Sequence, residues 1–195
     1  ELLDLPKNAA GAVGAIQRNA ERLTAMTEQL GILAAVTSDA RVSIKREPID
    51  LATIAARVCD RLRGLAEAAG IVLRVTGACE RKAMGESGLI EHALENLIMN
   101  AVRHAGGTSL VRVDLAATEL AGRPAVSIAV IDQGPGIASE NRERIFEAFW
   151  KAGKPGGSGL GLAIVQSIAE ALGGSVSVSD TDPAGTSFTL IFRAA

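Results

Sequence analysis

The stretch Glu91-His-Ala-Leu-Glu-Asn-Leu-Ile-Met-Asn-Ala-Val-Arg-His-Ala105 has the period of an amphipathic helix with an unusual polar face. Asn96, Asn100, Arg103 and His104 share one stripe, at spacings of four, three and four. Leu94, Leu97, Ile98, Ala101 and Val102 point elsewhere. Asparagine is a mediocre helix former, and Glu, Lys or Gln would solvate a helix at lower cost. Two mid-helix amides on one stripe therefore read as a polar site. Asn100 offers a carbonyl oxygen to a hard cation, and Arg103 offers its charge to phosphate.

Two glycine-rich stretches follow this helix. Gly156-Gly-Ser-Gly-Leu-Gly-Leu-Ala163 runs directly into an apolar helical pattern. Phosphate-binding loops need that combination, because side chains hold backbone N–H groups away from an anion and a helix N-terminus presents unpaired donors. It is neither a GxxxxGK[ST] loop nor a Rossmann turn, since Phe149-Trp-Lys-Ala-Gly-Lys-Pro155 before it is no strand. By itself it also fits a flexible linker. Asp132-Gln-Gly-Pro-Gly-Ile137 follows a strongly apolar strand and by itself fits a plain turn.

Outward from these stretches, helices and strands alternate. Residues 8–36 lack proline and repeat apolar or small residues at Ile16, Ala20, Leu23, Thr27, Leu30 and Ala34, the four-three spacing of a helix packed on other helices. This segment fits an amphipathic helix on its own domain or, preferred here, a dimerising arm. The polar stretch from Thr37 to Pro48, with strand-like Arg41-Val-Ser-Ile-Lys45, marks the boundary between an arm at 1–40 and a domain at 41–195. Asp50 reads as the N-cap of a helix closed by Gly70. Strands are expected at 71–76, 110–115 and 125–131, with a turn at Gly122-Arg-Pro124. Helices are expected at 86–105, 138–149 and 159–172. A loop is expected at 151–158 and a terminal hairpin at 175–179 and 186–192. The fold class is α+β: a two-layer α/β sandwich, its mixed, mostly antiparallel sheet carrying three helices on one face, preceded by a helical arm.

Composition narrows the function. The 195 residues include 20 Lys+Arg and 22 Asp+Glu, for a net charge of −2, which argues against an extended nucleic-acid surface. Apolar residues make up 48% and aromatics only 3%, so alanine, leucine and valine carry the packing. Cys59 and Cys79 form no CxxC pair, which argues against a structural zinc or a disulfide framework. No apolar run approaches the roughly 18 residues of a spanning helix, and Glu1-Leu-Leu-Asp4 has no basic n-region. The chain reads as a cytoplasmic piece of a longer protein, a parent that an inner-membrane anchor would suit.

Together the motifs resemble the ATP-binding domain shared by sensor histidine kinases, gyrase, the ninety-kilodalton heat-shock chaperone and the mismatch-repair ATPases. Leu94-x-Asn-Leu-Ile-x-Asn-Ala-x-Arg-His104 resembles the N box and Asp132-x-Gly-x-Gly136 the first glycine box. Ile145-Phe-Glu-Ala-Phe149 resembles the F box of histidine kinases, Gly157-x-Gly-Leu-Gly-Leu162 the second glycine box, and Gly185-Thr186 the closing pair. The likeness covers about residues 46–195, with the boxes in order. Hydrolytic members place a Glu general base four residues before the metal-binding Asn. Here that position is Asn96, and Glu95 lies about 100° round the helix.

The resemblance implies ATP and Mg²⁺ as cofactors and the following roles. Asp132 accepts a hydrogen bond from the adenine amino group, beside Ile137, while Gly134 and Gly136 let backbone approach the ring. Asn100 ligates Mg²⁺, Asn96 and Arg103 support the phosphates, and these three form the catalytic set. His104 replaces an aromatic near adenine and ribose, although a helix-end histidine near its dipole would also fit. Gly157, Gly159, Leu160, Gly161 and Leu162 supply N–H groups to phosphate, and Thr186 reaches the adenine. Phe149, Lys151 and Lys154 flank or lie in a short lid; a solvated surface role suits the two lysines equally well.

The implied function is the catalytic region of a two-component sensor histidine kinase, passing the γ-phosphate to a histidine and then to a response-regulator receiver aspartate. His92 and His104, the only histidines, both lie in the N-box helix, and no HExxTP-like box occurs. The phosphoacceptor helix is therefore expected upstream or in a partner chain, and the chain alone is not expected to autophosphorylate. A homodimer is expected of the parent. The alternatives are a nucleotide-sensing or partner-docking pseudokinase module and a protein-serine kinase of the anti-sigma-factor type.

Overall fold

The computed structural model describes residues 7–37, 44–104, 110–151, 158–181 and 184–195. Helix α1 (Lys7–Thr37) precedes strand β1 (Glu47–Ile49) and helix α2 (Leu51–Ala68). Strands β2 (Val72–Gly77) and β3 (Ala83–Gly85) lead to helix α3 (Ser87–His104). Strands β4 (Leu110–Leu120) and β5 (Arg123–Asp132), helix α4 (Gly161–Ala171), and strands β6 (Ser175–Asp180) and β7 (Thr186–Arg193) complete the chain.

Five strands form one sheet in the order β2-β4-β5-β7-β6. All neighbours are antiparallel except β2 and β4, whose parallel pairing requires the crossover that α3 supplies. Alternation along the strands turns Val111, Val113, Leu115, Val126, Ile128, Val130, Phe188, Leu190 and Phe192 inward, each almost fully buried. Against them lie Ile54, Val58 and Leu62 of α2, Ile90, Leu94 and Leu97 of α3, and Ile164 and Ile168 of α4. The opposite face carries Arg112, Ala116, Ser177 and Ser179, all exposed. This is the expected two-layer α+β sandwich.

Helix ends follow from local chemistry. The Asp50 carboxylate accepts from Ala52 N and Thr53 Oγ1, each at 2.9 Å, and the Thr53 bond leads the causes holding its carboxyl below the ordinary value. Glu86 caps α3 with a longer reach, accepting from Gly88 N at 3.1 Å and Leu89 N at 2.7 Å.

Of the strand-like stretch 41–45, residues 44 and 45 are irregular and 41–43 fall outside the described residues; a short strand forms at Glu47–Ile49, paired with β3. Two expectations need correction. The hairpin turn sits at Ala121 and Gly122, both with positive φ, so Arg123 and Pro124 already belong to β5. The segment 138–149 is not one helix but two short 3₁₀ turns, Ser139–Asn141 and Arg144–Phe146. Only Ile145 there is fully buried, which is too little apolar face to hold a longer helix.

Helix α1 packs on α4, and its Val36, 1% exposed, joins the core. Its heptad-spaced seam faces away: Ile16 is 66% exposed, Leu23 65% and Leu30 46%.

Candidate functional site

A cavity of about 610 Å³ opens between α3, the 132–138 loop, the 3₁₀ turns and the start of α4. The N-terminus of α4 faces into it through Gly161 and Leu162, which carry backbone N–H groups with no partner inside the helix. Asn96, Asn100, Arg103 and His104 descend one wall from α3, as their spacing requires. Asp132, Gly136, Ile137 and Thr186 form the other end, where β5 and β7 pair Asp132 with Thr186.

Asp132 is only 4% exposed. Burial pushes its carboxyl above the ordinary value of 3.8, and bonds accepted from the Gly134 and Thr186 backbone N–H groups, with the His104 charge, pull it back. The Gly134 bond is 2.8 Å. Gly185 makes this approach feasible: at φ 136° it lies where a Cβ would overlap the Asp132 carbonyl oxygen. A buried carboxylate with an outlet into a cavity is an acceptor waiting for a donor. It is also the sole acidic side chain among the described lining residues.

The rest of the described lining is neutral or basic. Asn96 donates from Nδ2 to the His92 carbonyl at 2.9 Å, and its Oδ1 lies where a Cβ on Gly161 would meet it at 2.9 Å. Arg103 and Lys151 bring positive charge to the lining. Glu95, the nearest carboxylate in sequence, is drawn away to Arg61 at 2.8 Å, and Glu91 pairs with Arg57 at 2.7 Å. No carboxylate is thus positioned to activate water beside Asn100 among the described residues.

Other expected site residues take different places. Gly134 is buried and serves Asp132 through its N–H, while Leu160 belongs to the core at 1% exposure and caps α4. Phe149 does not line the cavity. The residue is 64% exposed, and its backbone, strained at φ 66°, donates to the Gly159 carbonyl at 2.8 Å. Lys154 and Gly157 fall outside the described residues. The structure adds Met99, Pro135, Ala138, Asn141, Ile145, Trp150 and Ser158 to the lining, with Ala25, Met26 and Gln29 of α1. Ile145 was legible as the first residue of the F-box stretch but not as a lining residue, Met99 lies in the N-box helix with nothing to single it out, and nothing in the sequence ties residues 25–29 to Ser158, 129 positions away from Gln29.

Residues 85–195, more than half of the chain, match the family described as histidine kinase-, DNA gyrase B-, and HSP90-like ATPase. The chain belongs to that family. This ATPase-family chain is 36% identical over 179 residues to the sensor protein IrlS of Burkholderia pseudomallei, covering 89% of this chain and 37% of IrlS. It is 34% identical over 151 residues to the sensor-like histidine kinase SenX3 of Mycobacterium tuberculosis, covering 75% and 36%. The chain thus spans little more than a third of these relatives. Among solved structures, full-length ShkA in complex with AMPPNP matches 98% of this chain and 40% of its own, at TM-score 0.81 and 27% identity. The mycobacterial sensor histidine kinase MprB matches 77% and 98%, at TM-score 0.65 and 28% identity. Within the ATPase family, then, this is an ATP-binding catalytic domain of the sensor histidine kinase kind.

No group of three or more His, Cys, Asp or Glu side chains that could hold a metal occurs among the described residues, and no described helix is long and apolar enough to cross a membrane.

Proposed function

We propose that the cavity binds Mg·ATP with the adenine against Asp132 and the phosphates over the start of α4, and that the parent protein transfers the γ-phosphate to a histidine outside this chain. The observation that carries this reading is the make-up of the cavity: one buried carboxylate where β5 meets β7, and, apart from it, a lining of helix N–H groups, amides and the cationic Arg103 and Lys151. An adenine nucleotide has the complementary groups, an amino donor and anionic phosphates. The ShkA complex with AMPPNP supports the same occupant.

Asp132 selects adenine by accepting from its exocyclic amine, and Thr186 lies beside it. Arg103 and the first N–H groups of α4 orient the phosphates. A lone amide oxygen on Asn100 suits Mg²⁺, which takes one or two protein oxygens and completes its shell with phosphate and water. When bound, that ion supplies charge screening to the phosphate chain. With Asn96 rather than a carboxylate near the phosphates and Glu95 tied to Arg61, water lacks a base, so the triphosphate is spared for an imidazole acceptor. In that step a P–N bond forms as the bond to the bridging oxygen breaks and ADP leaves.

Residues 1–40 are read as the second helix of a dimerisation and phosphoacceptor bundle, and 41–195 as the catalytic domain. The exposed Ile16, Leu23 and Leu30 seam supports a homodimer of the parent. A receiver aspartate of a response regulator is the onward acceptor, which sets the working face in the cytoplasm. The test is to measure Mg·ATP binding by this chain and then add a histidine-bearing upstream helix. Binding followed by phosphohistidine is expected; binding with no transfer to any histidine-bearing helix overturns the kinase reading.

A further inference from the structure

Three residues of α1 reach the cavity, although the helix lies far from it in sequence. Ala25, Met26 and Gln29 line the wall beside the start of α4, and α1 packs on α4 directly. Gln29 is fixed there by a relay: Leu160 N donates to Ser158 Oγ at 3.1 Å, and Ser158 Oγ donates to Gln29 Oε1 at 2.7 Å. Because the amide oxygen faces Ser158, the carboxamide offers its two N–H bonds as donors. Such a relay polarises each donor in turn. Gln29 thus stands beside the start of α4, where Gly161 and Leu162 carry backbone N–H groups with no partner inside the helix.

We propose that α1 completes the nucleotide site and that the Gln29 carboxamide donates to the terminal phosphate, making this helix a reader of triphosphate against diphosphate. The inference rests on the nucleotide reading above and deepens it. Gln29 is a neutral donor, so it adds binding without closing an ion pair. Its grip is conditional on α1 remaining against α4, so nucleotide occupancy and the position of the arm are coupled. A triphosphate favours the docked arm, and loss of the terminal phosphate releases that preference.

The test uses the full chain and competition binding of Mg·AMPPNP, Mg·ADP and adenosine. Gln29→Glu keeps the side-chain shape but replaces the donors with a charge that repels phosphate, and Gln29→Ala removes both. Each is expected to weaken AMPPNP about tenfold, to change ADP by less than about twofold, and to leave adenosine and the melting temperature of the free protein unaltered. Ser158→Ala, which frees the carboxamide, should fall between. Equal losses for AMPPNP and ADP would show a structural effect only and overturn the inference, as would unchanged affinities in both Gln29 variants while the unaltered chain binds AMPPNP. Absence of adenine-nucleotide binding by the unaltered chain would sink the nucleotide reading and this inference with it.

Discussion

Replacing Asp132 with asparagine separates recognition from stability. In the folded chain the carboxylate is 4% exposed, and Gly134 N donates to it at 2.8 Å. Asparagine keeps an oxygen for that bond but loses the charge that strengthens every bond the carboxylate accepts. A charge-assisted hydrogen bond contributes about 1.5–3 kcal/mol and a neutral one about 0.5–1.5. The loss for an adenine amino donor is therefore about 1–2 kcal/mol, or roughly five- to thirtyfold in ATP affinity. The amide also brings a donor, which guanine O6 can accept, so the preference for ATP over GTP should shrink further. Stability should move the other way. Burial raises the Asp132 carboxyl pKa above 3.8, so folding favours the protonated form. The folded state is best served below the unfolded value and loses that benefit as pH rises through the folded one. At neutral pH the free Asp132→Asn protein should thus melt no lower than the parent. Calorimetric titration with Mg·ATP and Mg·GTP, with a thermal scan of the free protein at neutral pH and near pH 4, measures both. ATP affinity within twofold of the parent in a folded variant would refute the assignment of Asp132 to the adenine.

Asn100→Ala should abolish the dependence of nucleotide binding on Mg²⁺, checked by titration with and without a chelator; dependence intact would displace Asn100 as the ligand. Gly161→Ala places a Cβ 2.9 Å from Asn96 Oδ1, so the amide must turn and ATP affinity should fall several-fold with the fold retained on circular dichroism. His92 has its Nε2 buried without a hydrogen-bond partner among the described residues, and burial lowers its pKa below 6.5. The unfolded state then binds more protons below about pH 6.5, so stability should decline on acidification through that window, and His92→Phe should flatten the decline in denaturant melts. Burial pushes the Cys59 thiol up to about 11, so alkylation at pH 8 should label Cys79 in the native chain and Cys59 only after denaturation.

Much of the fold was legible because periodicity survives packing. The stripe Asn96, Asn100, Arg103 and His104 faces one cavity since the helix period allows nothing else, and the Val- and Ile-rich strands could bury only one face. Short elements were not legible. The strands Glu47–Ile49 and Ala83–Gly85 are too brief to show alternation, and each is stabilised by the other, 36 residues away. The 138–149 segment has helix-forming residues but little apolar face, so local turns prevailed. At the site, glycine patterns located the backbone but not the side chains recruited around it. Phe149 shares a motif with cavity residues yet turns outward, its backbone fixed by the Gly159 carbonyl. Gln29 joins the cavity through a tertiary contact that no local pattern encodes.

The most direct measurement is a crystal structure of this chain with Mg·AMPPNP. It should place the adenine amine within hydrogen-bond distance of the Asp132 carboxylate and the phosphates against the backbone N–H groups of Gly161 and Leu162. A nucleotide bound elsewhere, or lying in the cavity with its phosphates toward Asp132, would contradict the account.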